Sequence, residues 1–296
     1  MRFPGIIPAI TTPFGADGAI DVAALEANVN ALIDAGVQGL VATGTMGEAG
    51  SLTTEERRTV VAAAVRAADG RVPVIAGVSS GTPEMSIAYA RDAYEAGAEA
   101  IMCLPPLNYR ADAREIIAFY RAVGAGTNLP LMAYNNPEAS GIDLPAELIA
   151  RLYDEVDQVV AIKECSGDVR RIPAIIAAAP SLEVLVGGDD WALEGFAAGA
   201  TGWVSGVAVA APSECVELYE AVRAGELERA RAVYQRMLPL ARLDMTPKLV
   251  QYFKGAQDAL GFAGGPVRAP RLELTAEDRA VLDAALGALR GQQVPA

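Results

Sequence analysis

The chain of 296 residues contains no histidine. A histidine general base, a Ser-His-Asp triad and any metal site with a histidine ligand are therefore excluded. Lysine is almost as scarce, because only Lys163, Lys248 and Lys254 occur among the 24 basic residues. Acid–base chemistry near neutral pH must then rest on a carboxyl, tyrosine, cysteine or lysine group whose pKa is shifted.

Positive charge is also in short supply. The 24 Lys and Arg residues face 37 Asp and Glu residues, which gives a net charge of −13. Such a surface repels nucleic acid, although a locally positive pocket could still take an anionic substrate. The three cysteines lie far apart with no CxxC pair, and no apolar run approaches the roughly 20 residues that span a bilayer. We therefore expect a cytoplasmic protein that binds neither nucleic acid nor membrane.

The sequence does contain an alternation of short apolar runs with Ala-rich amphipathic stretches. The apolar runs cover residues 6–10, 39–42, 72–76, 100–104, 130–134, 159–163, 184–187 and 202–205. They are typical of strands buried on both faces of a parallel sheet. Helix signals lie between them, such as a capping box from Thr53 to Glu56 and Pro83 after Thr82. Eight strand–helix units predict an α/β fold, a (β/α)8 TIM barrel, with a doubly wound open sheet as the alternative.

The last part of the chain carries helix signals without strand signals. Helices are predicted over residues 226–243, 247–260 and 275–289, the second with Thr246 as its N-cap. We therefore predict two parts, a barrel over residues 1–225 and a C-terminal helical extension over residues 226–296 that packs on the barrel.

Lys163 is the most informative residue of the predicted barrel. It ends the sixth apolar run, and barrel enzymes carry their sites at the C-terminal ends of the strands. An apolar site would lower the pKa of this lysine, and the free amine could attack a ketone to form a Schiff base. The alternative is a buried ion pair with Glu164, but adjacent strand residues face opposite ways. Lys248 and Lys254 fall in a C-terminal helix, where we expect surface positions.

Further candidate groups lie at other predicted strand ends. Tyr134 ends the fifth strand, and a phenol whose pKa is lowered by a nearby cation can shuttle protons. The turn over residues 44–47 offers backbone amides and the Thr45 hydroxyl to a carboxylate. Asp189 and Asp190 follow the seventh strand, where we expect them to open a helix rather than to bind a metal. We predict no metal and no cofactor.

These motifs occur together in one order along the chain. GTMGE follows the second strand, YNNP the fifth, IKECSGD the sixth and GGDD the seventh, and GWVSG comes next. In this order and spacing the sequence resembles the dihydrodipicolinate synthase / N-acetylneuraminate lyase family over essentially its whole length. The resemblance implies a TIM barrel that acts on a small 2-oxo acid or cyclic imine. It also implies a homotetramer built as a dimer of dimers.

The same resemblance implies roles for particular residues. Lys163 would form an imine with the 2-oxo acid and Tyr134 would shuttle protons. The implied substrate-binding residues are Thr45, Met46, Gly47, Ser166, Gly188 and Val204.

Three departures separate the chain from the lysine-pathway synthases of that family. Met46 stands where those enzymes have a second threonine. Their relay tyrosine after the fourth strand is matched by Leu107, with Tyr109 close by. The segment that follows YNNP, residues 138–140, is Glu-Ala-Ser and lacks the arginine that holds the semialdehyde's carboxylate. The residues for imine formation are thus present, and those for the lysine-pathway partner are missing.

Several stretches look closer to a catabolic branch of the family. LPPLNYR, YNNP, IKECSGDVRR and KLVQYFKGAQ are similar to dehydratases and deaminases of hydroxylated 2-oxo acids and their cyclic imines, 1-pyrroline-4-hydroxy-2-carboxylate deaminase among them. We therefore predict a Schiff-base lyase, a deaminase or dehydratase. The alternatives are a dihydrodipicolinate synthase that condenses pyruvate with aspartate semialdehyde, a retro-aldol 2-oxo acid aldolase, and a non-catalytic 2-oxo acid binder.

Overall fold

The structure, a computed structural model, describes residues 2–291 and contains one sheet of eight parallel strands. The strands are β1 (Gly5–Pro8), β2 (Leu40–Ala42), β3 (Val74–Gly77), β4 (Ala100–Cys103), β5 (Leu131–Asn135), β6 (Val159–Glu164), β7 (Glu183–Val186) and β8 (Gly202–Ser205). Each strand pairs with the next along the chain from β2 to β8, and β8 pairs with β1. A bridge between Ala9 and Val41 joins β1 to β2. This nearly closed sheet confirms the predicted (β/α)8 barrel over the doubly wound alternative.

Helices surround the barrel and complete the described chain. They are α1 (Val22–Asp34), α2 (Thr54–Ala68), α3 (Pro83–Glu95), α4 (Ala113–Ala125), α5 (Pro137–Ser140), α6 (Ala146–Glu155), α7 (Arg171–Ala178), α8 (Ala192–Ala197), α9 (Pro212–Arg223), α10 (Leu227–Ala241), α11 (Leu249–Leu260) and α12 (Ala276–Leu289). Within residues 2–291, no helix is long and apolar enough to cross a membrane.

Local capping explains where several helices begin. The Thr53 hydroxyl and the Glu56 carboxylate form the predicted capping box of α2, and Thr82 caps α3 with Pro83 in its first turn. The N-cap predicted at Thr246 is wrong. Its hydroxyl donates to the Leu243 carbonyl at 2.8 Å, and α11 begins later, at Leu249, without a side-chain cap.

The core follows from the strand sequences. Every residue of β1 to β5 and of β8 is buried, and the strands are mainly apolar, as expected where helices cover the outside and side chains fill the inside. Helix α10 packs against α9 and α12, which attaches the C-terminal helices to the barrel. The division at residue 225 stays a prediction, and residues 1 and 292–296 of the two predicted parts lie outside the described range.

Candidate active site at the carboxyl end of the barrel

A cavity of about 200 Å³ opens at the carboxyl ends of the strands. That volume is below the roughly 300–1,000 Å³ of pockets that hold drug-sized ligands, which suits a small acid. The barrel contributes strand ends and βα-loops to its wall, and residues 244–247 and 249 come from the C-terminal helices. The C-terminal extension is therefore part of the cavity wall, a role that the sequence analysis did not predict.

Lys163 and Tyr134 face each other in this cavity. They are register partners on the adjacent parallel strands β6 and β5, so their side chains leave the sheet side by side. The Lys163 ammonium lies 4.4 Å from the centre of the Tyr134 ring, and both residues are buried. Glu164 points to the other side of β6, where it accepts from Asn135 Nδ2 at 2.9 Å and from the Ser166 amide at 2.6 Å. The alternative of a Lys163–Glu164 ion pair is therefore wrong.

Asn136 fixes the position of the Tyr134 hydroxyl. Its Oδ1 accepts from the Ala139 amide at 3.0 Å, which caps the short helix α5. Its Nδ2 donates to the Tyr134 hydroxyl oxygen at 2.9 Å. Because this bond uses the oxygen as acceptor, the phenolic proton remains available to a ligand. Asn136 of the YNNP motif thus both caps helix α5 and orients the Tyr134 phenol.

The protonation states of this pair differ from the sequence-based expectation. Burial lowers the pKa of Lys163, but the Tyr134 phenol and three further groups that can carry negative charge raise it by more, so the net shift is upward. Burial raises the pKa of Tyr134 to about 12, although Lys163 acts in the opposite direction. The net shift of the Lys163 pKa is thus opposite to the expected one, and the lowering of the Tyr134 pKa by its cationic neighbour is outweighed by burial. The resting site holds an ammonium beside a neutral phenol.

The turn between β2 and α2 presents free backbone donors. The amides of Thr45, Met46 and Gly47 donate no hydrogen bond within the described part of the chain, and the first two residues line the cavity. Residues at both ends of the turn adopt left-handed backbone conformations, with φ of 54° at Thr43 and at Glu48. Such strain in a β-branched residue is uncommon and concentrates at ligand sites. The turn therefore has the features of an anion-binding nest.

Glu48 anchors this turn to the C-terminal helices. Its Oε1 lies 2.7 Å from Nζ of Lys254, and its Oε2 accepts from the Arg268 amide at 3.0 Å. Glu48 and Lys254 are both buried, and Lys254 also donates to the Pro266 carbonyl at 2.7 Å. The predicted surface position of Lys254 is wrong, because its partner comes from a turn about 200 residues earlier in the sequence. Lys248 is partly exposed and pairs with Asp278.

Replacing Lys254 with methionine should lower the free energy of unfolding by about 3–5 kcal/mol, because Glu48 would stay buried without its partner at 2.7 Å and would keep only the more distant Arg271 at 3.8 Å. Chemical denaturation measures this loss. Lys248→Met is the matched control and should cost much less, since exposed ion pairs contribute little to stability. Equal losses in the two variants would contradict the assigned role of the Glu48–Lys254 pair.

Asp189 organises the loop after β8. Its carboxylate is fully buried and accepts from Trp203 Nε1 at 3.0 Å, Ser205 Oγ at 3.1 Å and the Gly206 amide at 3.1 Å. A fourth bond comes from the Val207 amide at 2.5 Å. Asp189 and Asp190 open a 3-10 turn, Asp189–Trp191, that leads directly into α8, as predicted, but the Asp189 carboxylate turns to the neighbouring strand instead of capping this turn. Asp189 and Glu48 lie in separate clusters, and the described residues hold no group of three or more potential acidic or cysteine metal ligands.

The other sequence-predicted binding residues lie beside the cavity rather than in its wall. Gly47, Ser166, Gly188 and Val204 are absent from the lining, whereas Thr45, Met46, Tyr134 and Lys163 belong to it. A Cβ at Gly188 would meet the Trp191 indole nitrogen at 2.2 Å, so this glycine makes room for a side chain. Val204 is buried within β8. Leu107 and Tyr109, the candidates for a proton relay, also lie outside the cavity wall.

Five polar residues of the wall were not predicted as site residues, namely Asn136, Glu138, Cys165, Asp244 and Thr246. Asn136 and Cys165 lie inside the YNNP and IKECSGD motifs, and Glu138 directly follows YNNP, so these three could have been found from the motifs. Asp244 lies in a 3-10 turn, Arg242–Met245, between α10 and α11. Nothing in its local sequence indicates that it faces Lys163. Burial raises the pKa of the Cys165 thiol to about 12, so this group stays protonated at neutral pH.

A family model described as the Dihydrodipicolinate synthetase family matches residues 2–289. The chain belongs to this family. It is 38% identical over 285 residues to 4-hydroxy-tetrahydrodipicolinate synthase of Methanothrix thermoacetophila, with 95% of each chain covered. It is 36% identical to an uncharacterised DapA-like lyase of Halobacterium salinarum, over 96% of this chain and 93% of that one.

A solved structure of the family matches at the level of the fold. It is a prophage protein of the dihydrodipicolinic acid synthase family from Escherichia coli K12 in complex with pyruvate. The TM-score is 0.92 at 29% identity, with 98% of this chain and 99% of that chain covered. These matches confirm the predicted family and its TIM barrel, and the chain is a lyase-type enzyme of the dihydrodipicolinate synthetase family.

Proposed function

We propose that the protein forms a Schiff base between Lys163 and a small 2-oxo acid and then breaks a bond on the substrate's far side. The observation that carries this proposal is the lysine–phenol pair in one small cavity, 4.4 Å from ammonium to ring centre, beside a turn with free amides. The free amides would hold the substrate carboxylate. The pyruvate complex of the prophage relative supports a 2-oxo acid in such a barrel.

Imine formation follows from the two side chains. After Lys163 loses its proton to solvent, the amine nitrogen attacks the ketone carbon, and a proton moves from the nitrogen to the ketone oxygen, which becomes a hydroxyl. The phenol of Tyr134 gives its proton to that hydroxyl, which leaves as water while the carbon–nitrogen double bond forms. The resulting phenolate lies next to a cationic iminium, which stabilises it electrostatically. The iminium withdraws electrons and acidifies C3, and the phenolate can take the C3 proton.

The bond broken next determines the reaction class. When C3 loses its proton to Tyr134, the electron pair forms an enamine. The enamine expels the hydroxyl or amino group from C4, and that group takes the proton back from Tyr134 and leaves as water or ammonia. We propose this elimination, which makes the enzyme a carbon–oxygen or carbon–nitrogen lyase, a dehydratase or deaminase. Hydrolysis of the imine then returns the amine of Lys163. The absence of an arginine in residues 138–140 supports this choice over a partner with a second carboxylate.

A second candidate is the synthase reaction in which the enamine of pyruvate attacks aspartate semialdehyde. The names of the relatives favour it, because the Methanothrix protein is called a 4-hydroxy-tetrahydrodipicolinate synthase. In this reaction the enamine carbon forms a new bond to the aldehyde. The second carboxylate of the semialdehyde would then enter the cavity. Among the described residues that line the cavity, Lys163 is the only one with a basic side chain.

One screen separates the two candidates. The purified protein is incubated with a series of 4-hydroxylated 2-oxo acids and hydroxylated cyclic imines, and in parallel with pyruvate plus aspartate semialdehyde. Product masses identify the reaction. Loss of water or ammonia from the first set supports elimination. A condensation product from the second set, with no turnover of the first, would overturn the elimination and support the synthase.

The rate of imine formation should rise with pH. The pKa of Lys163 is shifted upward, so the lysine is an ammonium at neutral pH, and the attacking amine fraction increases about tenfold per pH unit below that pKa. Borohydride trapping of pyruvate in single-turnover experiments between pH 6 and 9 measures this rate. A rate that stays flat over that range would contradict an ammonium resting state.

The resemblance supports two further proposals, a homotetramer and a cytoplasmic location. Light scattering coupled to size-exclusion chromatography measures the assembly directly. A mass four times that of the chain supports the tetramer, and a monomer or dimer contradicts it.

A further inference from the structure

The cavity wall carries two carboxylates besides the turn with free amides. Glu138 belongs to α5, and Asp244 comes from the 3-10 turn between α10 and α11. Among the described residues lining the cavity, only Lys163 can balance them. Lys163 is 7% exposed and makes no hydrogen bond or ion pair within residues 2–291, so the contact of its ammonium with the Tyr134 ring does not neutralise its charge. The negative charges of the two carboxylates are therefore opposed by only one positive charge in the cavity wall.

Asp244 is half-buried and is held next to the barrel. Its Oδ2 accepts from the Asp189 amide at 3.4 Å. A Cβ at Gly206 would lie 3.0 Å from Asp244 Oδ1 and 3.1 Å from Asp189 Oδ2, so the glycine leaves room for two carboxylates to approach one point. Burial raises the pKa of Asp244 to about 6, and the nearby Lys163 acts in the opposite direction and favours the carboxylate form. The cavity therefore carries a fixed negative charge near its lysine.

We propose that Asp244, with Glu138, determines substrate specificity by selecting 2-oxo acids whose far substituent donates a hydrogen bond and rejecting those with a second carboxylate. This inference rests on the proposed Schiff-base function. A hydroxyl or amine on the substrate can donate to the Asp244 carboxylate in a charge-assisted hydrogen bond. A second carboxylate would instead face like charge in a site of low dielectric, with no arginine in the wall to offset it.

The test compares four 2-oxo acids that share one head group. Pyruvate has no far substituent, 2-oxobutanoate adds a methyl group, 4-hydroxy-2-oxobutanoate adds a hydroxyl and 2-oxoglutarate adds a carboxylate. The concentration that gives half-maximal borohydride trapping is measured for each acid, and each value is divided by the pyruvate value of the same variant. In this ratio, any effect of a variant on folding or on imine formation in general cancels, because it changes the value for pyruvate equally.

The variants are Asp244→Asn, Asp244→Ser in case the amide perturbs the turn, and Glu228→Gln as a control. Glu228 is an exposed carboxylate on α10, so its variant changes the net charge equally but far from the cavity. In the unmodified protein, 2-oxoglutarate should need at least about tenfold more ligand than 2-oxobutanoate, since like charges across an interface disfavour binding strongly. Asp244→Asn should remove most of that difference and weaken the preference for the hydroxylated acid.

The outcomes distinguish this inference from the function on which it rests. Ratios that change in the Asp244 variants but not in Glu228→Gln support the specificity role. Normal trapping with ratios that are the same in all variants overturns it and leaves the Schiff-base function intact. A complete lack of trapping with all four acids in the unmodified protein overturns the proposed function and the inference together.

Discussion

Replacing Lys163 with alanine should abolish turnover while the barrel stays folded. The loss should reach about 10⁴-fold or more, the order seen when a catalytic nucleophile is removed, because no other lysine lines the cavity in the described chain. Steady-state assays on the substrate found by product mass measure the loss. Lys163 makes no ion pair within residues 2–291, so we expect the thermal unfolding midpoint to change little.

Two further variants distinguish the role of the Lys163 amine as a nucleophile from the role of its positive charge. Lys163→Arg keeps a positive charge near Asp244 but offers no nucleophilic amine at neutral pH, so it should be as inactive as the alanine variant. Lys248→Ala removes a lysine outside the cavity and should retain activity. Substantial turnover by Lys163→Arg would show that charge alone suffices and would overturn the imine mechanism.

Replacing Tyr134 with phenylalanine should lower kcat by about 10²–10⁴-fold, the usual contribution of a positioned proton-transfer group. The ring would remain beside Lys163, and only the hydroxyl that Asn136 holds at 2.9 Å would be lost. Burial already keeps this phenol protonated at neutral pH, so its first role is as a proton donor. Single-turnover trapping with pyruvate should therefore slow as well, because water leaves the carbinolamine without an acid.

Tyr120→Phe is the matched control for this variant. Tyr120 is fully buried, and its hydroxyl donates to the Cys103 carbonyl at 2.8 Å, outside the cavity wall. Its loss should cost about 1 kcal/mol of stability, the usual net value of one hydrogen bond, and leave kcat within a few-fold. Equal decreases in kcat for the two variants would indicate a packing effect rather than proton transfer by Tyr134.

The barrel could be predicted from sequence because its signals are local and repeated. Each strand is a short apolar run, and the helices between them begin at caps such as Thr53 and Thr82. The position of Lys163 beside Tyr134 followed from the same pattern, since successive parallel strands are neighbours in a barrel. The location of the cavity at the strand ends could therefore be predicted from the strand pattern alone.

Contacts distant in sequence could not be predicted in the same way. Lys254 looked like a surface lysine, and its buried partner Glu48 lies on the second βα-loop. Asp189 opens a helical turn as expected, yet the four donors to its carboxylate belong to the next strand and loop and could not be foreseen. The upward shift in the pKa of Lys163 depends partly on Asp244, which reaches the cavity from the C-terminal helices. Each of these features depends on where the fold brings together charged groups that are distant in sequence, and hydrophobic periodicity carries no information about that.

The central claim, an imine on Lys163, is tested most directly by borohydride reduction in the presence of pyruvate. Intact-mass spectrometry followed by peptide mapping measures the adduct. We expect one adduct per chain, with the mass of pyruvate less water plus two hydrogens, on the peptide that contains Lys163. No adduct with any 2-oxo acid, or an adduct on Lys248 or Lys254 instead, would contradict it.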